Sequence, residues 1–300
     1  MQAAAAMRGW PCFYFSTPTS SFVMQPPVPI ETLPLFPVLD ELLLELLRSL
    51  SPADWQRPTL ARQWTVKDIA AHLLDGNLRT LSMLRDGHFG EAPDDFSYAG
   101  IVAYLNRLNA DWVRAARRLS PAVLIELLAQ SGAEYTAYLQ TLDPWAPAAF
   151  SVAWAGENES PNWFHIARDY TEKWHHQQQI REAVGQPGAL MTPALFQPLI
   201  ETLMRGLPHT YRAVAAPVGT QVQVNIGPEM SGTWQLERNQ DSWKLTEHLL
   251  APAAAITLTP AVAWKLFTKG LSAEQARQQA QVSGDEQLAA AAFGLVAVMG

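Results

Sequence analysis

The stretch Trp64-Thr65-Val66-Lys67-Asp68-Ile69-Ala70-Ala71-His72-Leu73 decides how the first half of this chain is read. Thr65 is a natural helix N-cap, Asp68 stands three residues later as in a capping box, and Trp64 with Ile69 can close a hydrophobic staple. The spacing predicts a helix running to about Asp86, before Gly87. His72 falls in the middle of it, among apolar neighbours. An imidazole there is costly unless something satisfies it, and either an ordinary core hydrogen bond or a metal ion would do so.

Working outward, Leu35, Val38, Leu39, Leu42, Leu43, Leu46 and Leu47 recur at steps of three and four, one broad face of an amphipathic helix that Ser51-Pro52 ends. A third helix is expected over about Tyr98 to Leu119, and Ser120-Pro121 caps and opens a fourth that runs to Leu142. Pro144, Pro147 and Gly156 mark a long connection. Ser160-Pro161 repeats the cap-plus-proline signal and starts a helix lasting to Gly185, a natural residue for the position after a helix end. Short connections and a repeated 3.6 period make a bundle the natural packing.

After Gly188 the period changes. Val222, Val224 and Ile226 alternate, followed by the pairs Trp234 and Leu236, Trp243 and Leu245, Ile256 and Leu258, which predict four strands with one buried face. Helices are expected from Thr259-Pro260 to Gly270, from Ser272, and over Gln287 to Met299. The expectation is an α+β multidomain protein: a four-helix-type bundle over residues 31–188, then a smaller α+β domain over 189–300, joined by a linker or connecting helix near Thr192 to Leu207.

Residues 1–30 look foreign to the rest. Arg8 and Trp10 to Phe15 only faintly suggest a signal peptide, since Pro11 interrupts a short apolar run. Met24, ahead of Pro26, Pro27 and Pro29, reads as the better start. Cys12 is the single cysteine of the chain, so neither a disulfide framework nor an all-cysteine zinc site can form within one chain; this fits a cytoplasmic protein. A net charge of −7 argues against a nucleic-acid partner, which would need clustered Lys and Arg. No stretch approaches the ~20 apolar residues that span a bilayer.

Glu172 and His176, four apart on the helix after Pro161, share one face, and a carboxylate and an imidazole at that spacing can grip one metal ion. The same pair is more often a solvated surface pair. His175 points about 100° away around the helix. Joined by His72, the two would leave a fourth position for water or substrate, the pattern of catalytic zinc. Arg168, one turn before Glu172, is either a partner that orients it or an ordinary ion pair, and His165 extends the same stripe. Asp68 is better explained by the capping box than as a partner of His72. Trp163 and Trp174 read as packing residues.

Ser51-Pro52-Ala53-Asp54-Trp55, the Trp64 to Leu73 segment, and Glu172-Lys173-Trp174-His175-His176-Gln177-Gln178-Gln179-Ile180-Arg181 together resemble the mycothiol-dependent maleylpyruvate isomerase family. The resemblance covers about Leu33 to Gly185 and implies a DinB-like bundle. It also implies a divalent metal, usually zinc, on His72, Glu172 and His176. Ala263-Trp264-Lys265-Leu266-Phe267-Thr268-Lys269-Gly270 and Val282-Ser283-Gly284-Asp285 are similar to the sterol-carrier-like second domain of such proteins, although Gly284-Asp285 on its own reads as a turn and helix cap.

What the resemblance implies for function is a metal- and thiol-dependent isomerase or S-transferase. Its partners would be a low-molecular-weight thiol (mycothiol, bacillithiol or glutathione) and an electrophilic small molecule. A metal-binding protein without turnover, and a small-molecule or lipid carrier using the second domain, stay open beside it. The second domain is further expected to cover the open side of the metal site. Spacing does not identify which arginines would hold a dicarboxylate.

Overall fold

The computed structural model describes residues 28–228, 230, 232–247 and 251–298. The expectations for Cys12 and the start at Met24 lie outside them.

The bundle is built from α1 (Phe36–Ser49), α2 (Val66–Thr80), α3 (Tyr98–Ala116), α4 (Pro121–Leu139) and α5 (Asn162–Ala183). The cap of α2 forms as its sequence demands. The Asp68 amide donates to the Thr65 hydroxyl, and the Thr65 amide donates to the Asp68 carboxylate. Arg117, at the end of α3, braces the same carboxylate at 3.2 Å, so the capping box also ties two helices together. Beyond Thr80 the helix widens into one π-type stretch, Leu81–Arg85, and ends at Asp86. Such widened turns often accompany functional sites.

The expected cap of α5 is not made by Ser160. That hydroxyl accepts from the Val152 amide and donates to Glu157, so it ties down the preceding loop. Pro161 takes the cap position with no side-chain bond, and the helix begins at Asn162. Gly185 does sit in the left-handed region, at φ 76°, just past the end of α5.

Helices α2 and α5 run antiparallel. Ile180, near the end of α5, belongs to the same apolar cluster as Val66 and Ile69 from the start of α2, and Arg57, ahead of α2, donates to the Ala183 carbonyl at the end of α5. At the other end Asn77 of α2 donates to Ser131 of α4, and Tyr135, one turn further along α4, donates to Asp169 near the start of α5. The later part of α2 and the earlier part of α5 therefore share one end of the bundle.

The segment expected as a linker is instead part of the core. Helix α6 (Pro193–Met204) buries Leu195, Phe196, Leu199, Ile200 and Leu203, and Tyr170 of α5 donates to the Leu195 carbonyl. A short α7 (Leu207–Thr210) follows. The sheet has five strands, β1 (Gln221–Ile226), β2 (Gly232–Arg238), β3 (Trp243–Thr246), β4 (Ala254–Leu258) and β5 (Gln281–Gly284), in the order β3-β2-β1-β4-β5. Only β1 and β4 pair in parallel.

Four of these strands lie where expected, and β1 and β4 follow the expected alternation, whereas β2 buries the adjacent Gln235 and Leu236 and β3 buries only Trp243. β5 does not alternate, because its burial pattern has no fully buried position. Gly284 (φ 79°) and Asp285, which caps the next helix, behave as the turn and cap read from sequence. Helices α8 (Pro260–Phe267), α9 (Ala273–Arg277) and α10 (Glu286–Ala292) complete the α+β part.

One apolar cluster runs from Phe36 and Tyr170 through α6 to Val222, Ile256, Trp264 and Phe293, so bundle and sheet share a continuous core. At the seam Trp174 of α5 meets Trp264 of α8 edge to face, and Lys265 pairs with Glu182 at 3.0 Å. No helix of the described residues is long and apolar enough to cross a membrane.

Candidate metal centre

The capped start of α2 fixes the direction in which His72 leaves the helix, and α5 runs alongside in the opposite sense. Their meeting brings His72 to Glu172 and His176, which lie far along the chain from it. His72, Glu172 and His176 each offer a ligand atom within 4.8 Å of the others. The two imidazoles stand at right-angled stacking, centroids 4.6 Å apart, and the Trp64 indole lies 4.8 Å from His72 and 6.1 Å from His176. The staple residue of α2 therefore doubles as an apolar wall of the site.

Three observations test whether these residues suit a metal. The first is His72 Nδ1, which is buried with no hydrogen-bond partner. An orphaned imidazole nitrogen is expensive in a core, so the ordinary reading of His72 as a hydrogen-bonded core histidine has no partner to support it. Burial, reinforced by His176, holds its pKa well below the usual histidine range, which keeps it neutral, as a ligand must be.

Second, His176 Nδ1 lies 2.9 Å from Gln179 Oε1. The amide oxygen can only accept, so the proton sits on Nδ1 and leaves the Nε2 lone pair free. Nε2 faces Glu172 Oε2 at 3.5 Å. Gln179 is a functional residue that sequence reasoning missed. A glutamine one turn past a histidine was a legible signal, since metal-ligating histidines almost always give their other N–H to such a group.

Third, burial would raise the Glu172 pKa, but the His176 imidazole beside it, then His175 and Arg168, carry it far below the usual carboxylate range. The carboxylate stays ionised. Two imidazoles and one carboxylate form a donor set that fits a divalent cation.

The other residues sort clearly. His175 turns away and spends its Nδ1 on the Thr171 carbonyl at 2.8 Å. Arg168 does not hydrogen-bond Glu172. Its Nη2 donates to Asp169 at 2.6 Å and approaches His165 Nε2 at 3.4 Å. Asp169 draws it because that carboxylate is already fixed by the Tyr135 hydroxyl, 2.5 Å away, so Arg168 acts on Glu172 only through space. His165 belongs to this second polar group and not to the triad. Trp163 and Trp174 are buried packing residues.

Trp174, which meets Trp264 of the second domain, lies two residues from both Glu172 and His176, and at 100° per residue it projects from the opposite side of the helix. Arg79, two turns past His72 on α2, is a further cation near the site. It helps to lower the His72 pKa and was not singled out from sequence.

Comparison with known proteins adds the following. The chain resembles a crystal structure of a histidine-to-alanine mutant of the mycothiol-dependent maleylpyruvate isomerase, at 14% identity over 85% of this chain and 93% of that one, TM-score 0.52. A second structure of that isomerase aligns over the same shares at 14% identity, TM-score 0.49. Sterol carrier protein 2 like 2 from Aedes aegypti aligns at 20% identity over 32% of this chain and 95% of that one, TM-score 0.25. No curated protein matches the sequence. Residues 37–181 match the family described as the mycothiol maleylpyruvate isomerase N-terminal domain, which spans α1 to α5 and includes His72, Glu172 and His176. The bundle of this chain is thus a domain of the mycothiol maleylpyruvate isomerase N-terminal family.

Proposed function

We propose that the chain is a metal-dependent enzyme that uses a low-molecular-weight thiol to isomerise an electrophilic small molecule of the maleylpyruvate type. The observation that supports this reading is the unpartnered His72 Nδ1 beside an ionised Glu172 and an oriented His176. Those three residues would hold the metal, and zinc suits two imidazoles and one carboxylate best. Such an ion, when bound, supplies the positive charge that turns a thiol into a nucleophilic thiolate at neutral pH.

The rest is done by the chain itself. Gln179 keeps His176 in one tautomer. Trp64 limits water on one side of the two imidazoles. The chain's single cysteine, Cys12, lies outside the described residues and away from the bundle motifs, which agrees with a thiol supplied from outside. A thiol cosubstrate also places the reaction in a reducing compartment, the cytoplasm. S-transfer would use the same activated thiol, and the two reactions differ in whether the thiol stays on the product.

The cavity of about 300 Å³ against the sheet is lined by Glu201, Arg205 and Glu247 as well as Trp234 and Leu245, an unsuitable wall for an acyl chain.

The test combines metal analysis of the purified protein with a maleylpyruvate isomerisation assay in mycothiol, bacillithiol, glutathione or no thiol. About one divalent ion per chain, with turnover only when a thiol is present, is the expected result. A protein without stoichiometric metal, or with equal turnover lacking thiol, overturns the reading.

A further inference from the structure

On the far side of α5 from the triad, helix α6 and the sheet leave a cleft between them. Phe196 of α6 packs edge to face on Trp174, the residue of α5 that points away from Glu172 and His176. Nearer its end α6 carries Glu201 and Arg205. These line a cavity of about 300 Å³ with Trp234 of β2, Leu245 of β3 and Glu247 just past β3. Because Gln235 pairs with Thr246 in the ladder, Glu247, one residue on, falls level with Trp234 and on its face of the sheet. Gly232 sets the shape of this floor. A Cβ there would collide with the Trp234 indole, so the ring lies over the strand only because position 232 has no side chain.

The charges that line the cleft are not paired with one another. The Arg205 guanidinium lies over the Trp163 ring, 6.0 Å from its centre, and among the described residues it has no hydrogen bond or ion pair. Glu201 and Glu157 act on it only through space. Glu201 accepts from the Gln197 amide on Oε1 at 3.0 Å, and its second oxygen has no such donor. Glu247 is exposed and likewise without a partner among the described residues.

This arrangement selects its ligand by charge. An apolar molecule would bury three unpaired charges. A simple anion would meet two carboxylates, and a simple cation would meet Arg205. A molecule that carries both signs leaves neither opposed, and its apolar part can lie on Trp234 and Leu245. The guanidinium fork matches a carboxylate in geometry as well as charge. An ammonium beside an indole face gains further from the ring quadrupole.

We infer that the cleft between α6 and the β2–β3 edge binds a small zwitterion of the amino-acid type. Its carboxylate rests on Arg205, and its ammonium lies between Trp234 and the carboxylates of Glu201 and Glu247. The site stands apart from the metal ligands and does not depend on the functional reading above, so binding requires neither metal nor thiol.

The test is a calorimetric titration of the full-length protein, with metal added and with metal removed, using L-leucine, L-methionine and L-phenylalanine. At least one is expected to bind with the same affinity in both states and to raise the melting temperature. Its amide, which lacks the carboxylate, and its N-acetyl form, which lacks the ammonium, should each bind about tenfold more weakly or worse. Arg205→Gln and Glu247→Gln should each weaken the parent amino acid on the same scale, and Gly232→Ala, which displaces the indole, should weaken it too. Melting temperature identifies variants that fold. Should Arg205→Gln fail, Arg205→Lys keeps the charge without the fork, and the exposed Glu247 supplies an independent arm.

Binding of none of the three, equal affinity for the amide and the N-acetyl form, or unchanged affinity in folded Arg205→Gln and Glu247→Gln overturns the site. Binding that requires the metal, or that His176→Ala abolishes, would place the ligand at the triad and overturn it as well.

Discussion

Gln179 Oε1 accepts the Nδ1 proton of His176 across 2.9 Å, one turn along α5, and thereby dictates which nitrogen of that imidazole stays free. Gln179→Leu should leave the helix intact, since the two side chains differ little in helix propensity. It should weaken metal binding by roughly 10- to 100-fold, the scale seen when such outer partners are lost. Competition with a chelator of known affinity measures this, and an unchanged metal Kd would show that His176 needs no such support.

His72→Ala, Glu172→Ala and His176→Ala are each expected to remove most of the metal, because three ligands tolerate little loss. His175→Ala should retain it, since that ring is turned to the Thr171 carbonyl. Metal content by mass spectrometry after dialysis separates the two groups. Full retention in all three triad variants would remove the site.

The metal-free protein should lose stability as pH falls below about 6.5, the usual histidine value. Burial is the main cause holding His72, His165 and His175 below their usual range, His175 down to about 4. The unfolded chain then takes up protons that the folded chain refuses. Each such histidine contributes a slope of up to about 1.4 kcal/mol per pH unit.

Asp75 opposes this trend. Burial raises its pKa to about 6, so its favourable contribution is present at low pH and lost as pH rises through 6. Urea unfolding of chelator-treated protein between pH 7 and 4 measures the balance, and Asp75→Asn should steepen the fall. A flat profile would mean that the three histidines protonate freely in the folded state.

Trp174 and Trp264 meet with centroids 5.8 Å apart at 69°, both without exposure. Neither indole N–H has a partner, so Trp264→Ala forfeits packing and the Lys265 cation over its ring but no side-chain hydrogen bond, about 3–5 kcal/mol. Because the apolar cluster crosses from α5 through α6 into the sheet, the chain should melt in one cooperative transition. A fragment of residues 24–188 should aggregate or stay unfolded. Calorimetry of both checks this, and a soluble fragment that holds metal would show that the bundle folds alone.

Much of this protein was determined by local sequence. The capping box of Thr65 and Asp68, the proline starts of α4 and α8, the left-handed Gly185 and the alternation of β1 and β4 depend on neighbours a few residues away, which is why they were legible. The spacing of Glu172 and His176 likewise places both on one face of one helix.

Other features waited on tertiary structure. β5 has one apolar residue, Val282, and is a strand only because β4 offers its free edge. α6 read as a linker because its burial depends on α5 and the sheet beyond it. Ser160 matched a cap pattern but found a better acceptor and donor in Glu157 and Val152. Arg168, read as an orienting partner or ion pair of Glu172, pairs with Asp169 instead, since charge pairing follows distance in space and not along the chain. Only the antiparallel packing of α2 on α5 brings His72 to His176. Sequence thus chose the helices and the ligand types, while the packing of apolar faces decided which polar groups meet, because burial leaves their hydrogen-bond and charge requirements to whatever lies across the interface.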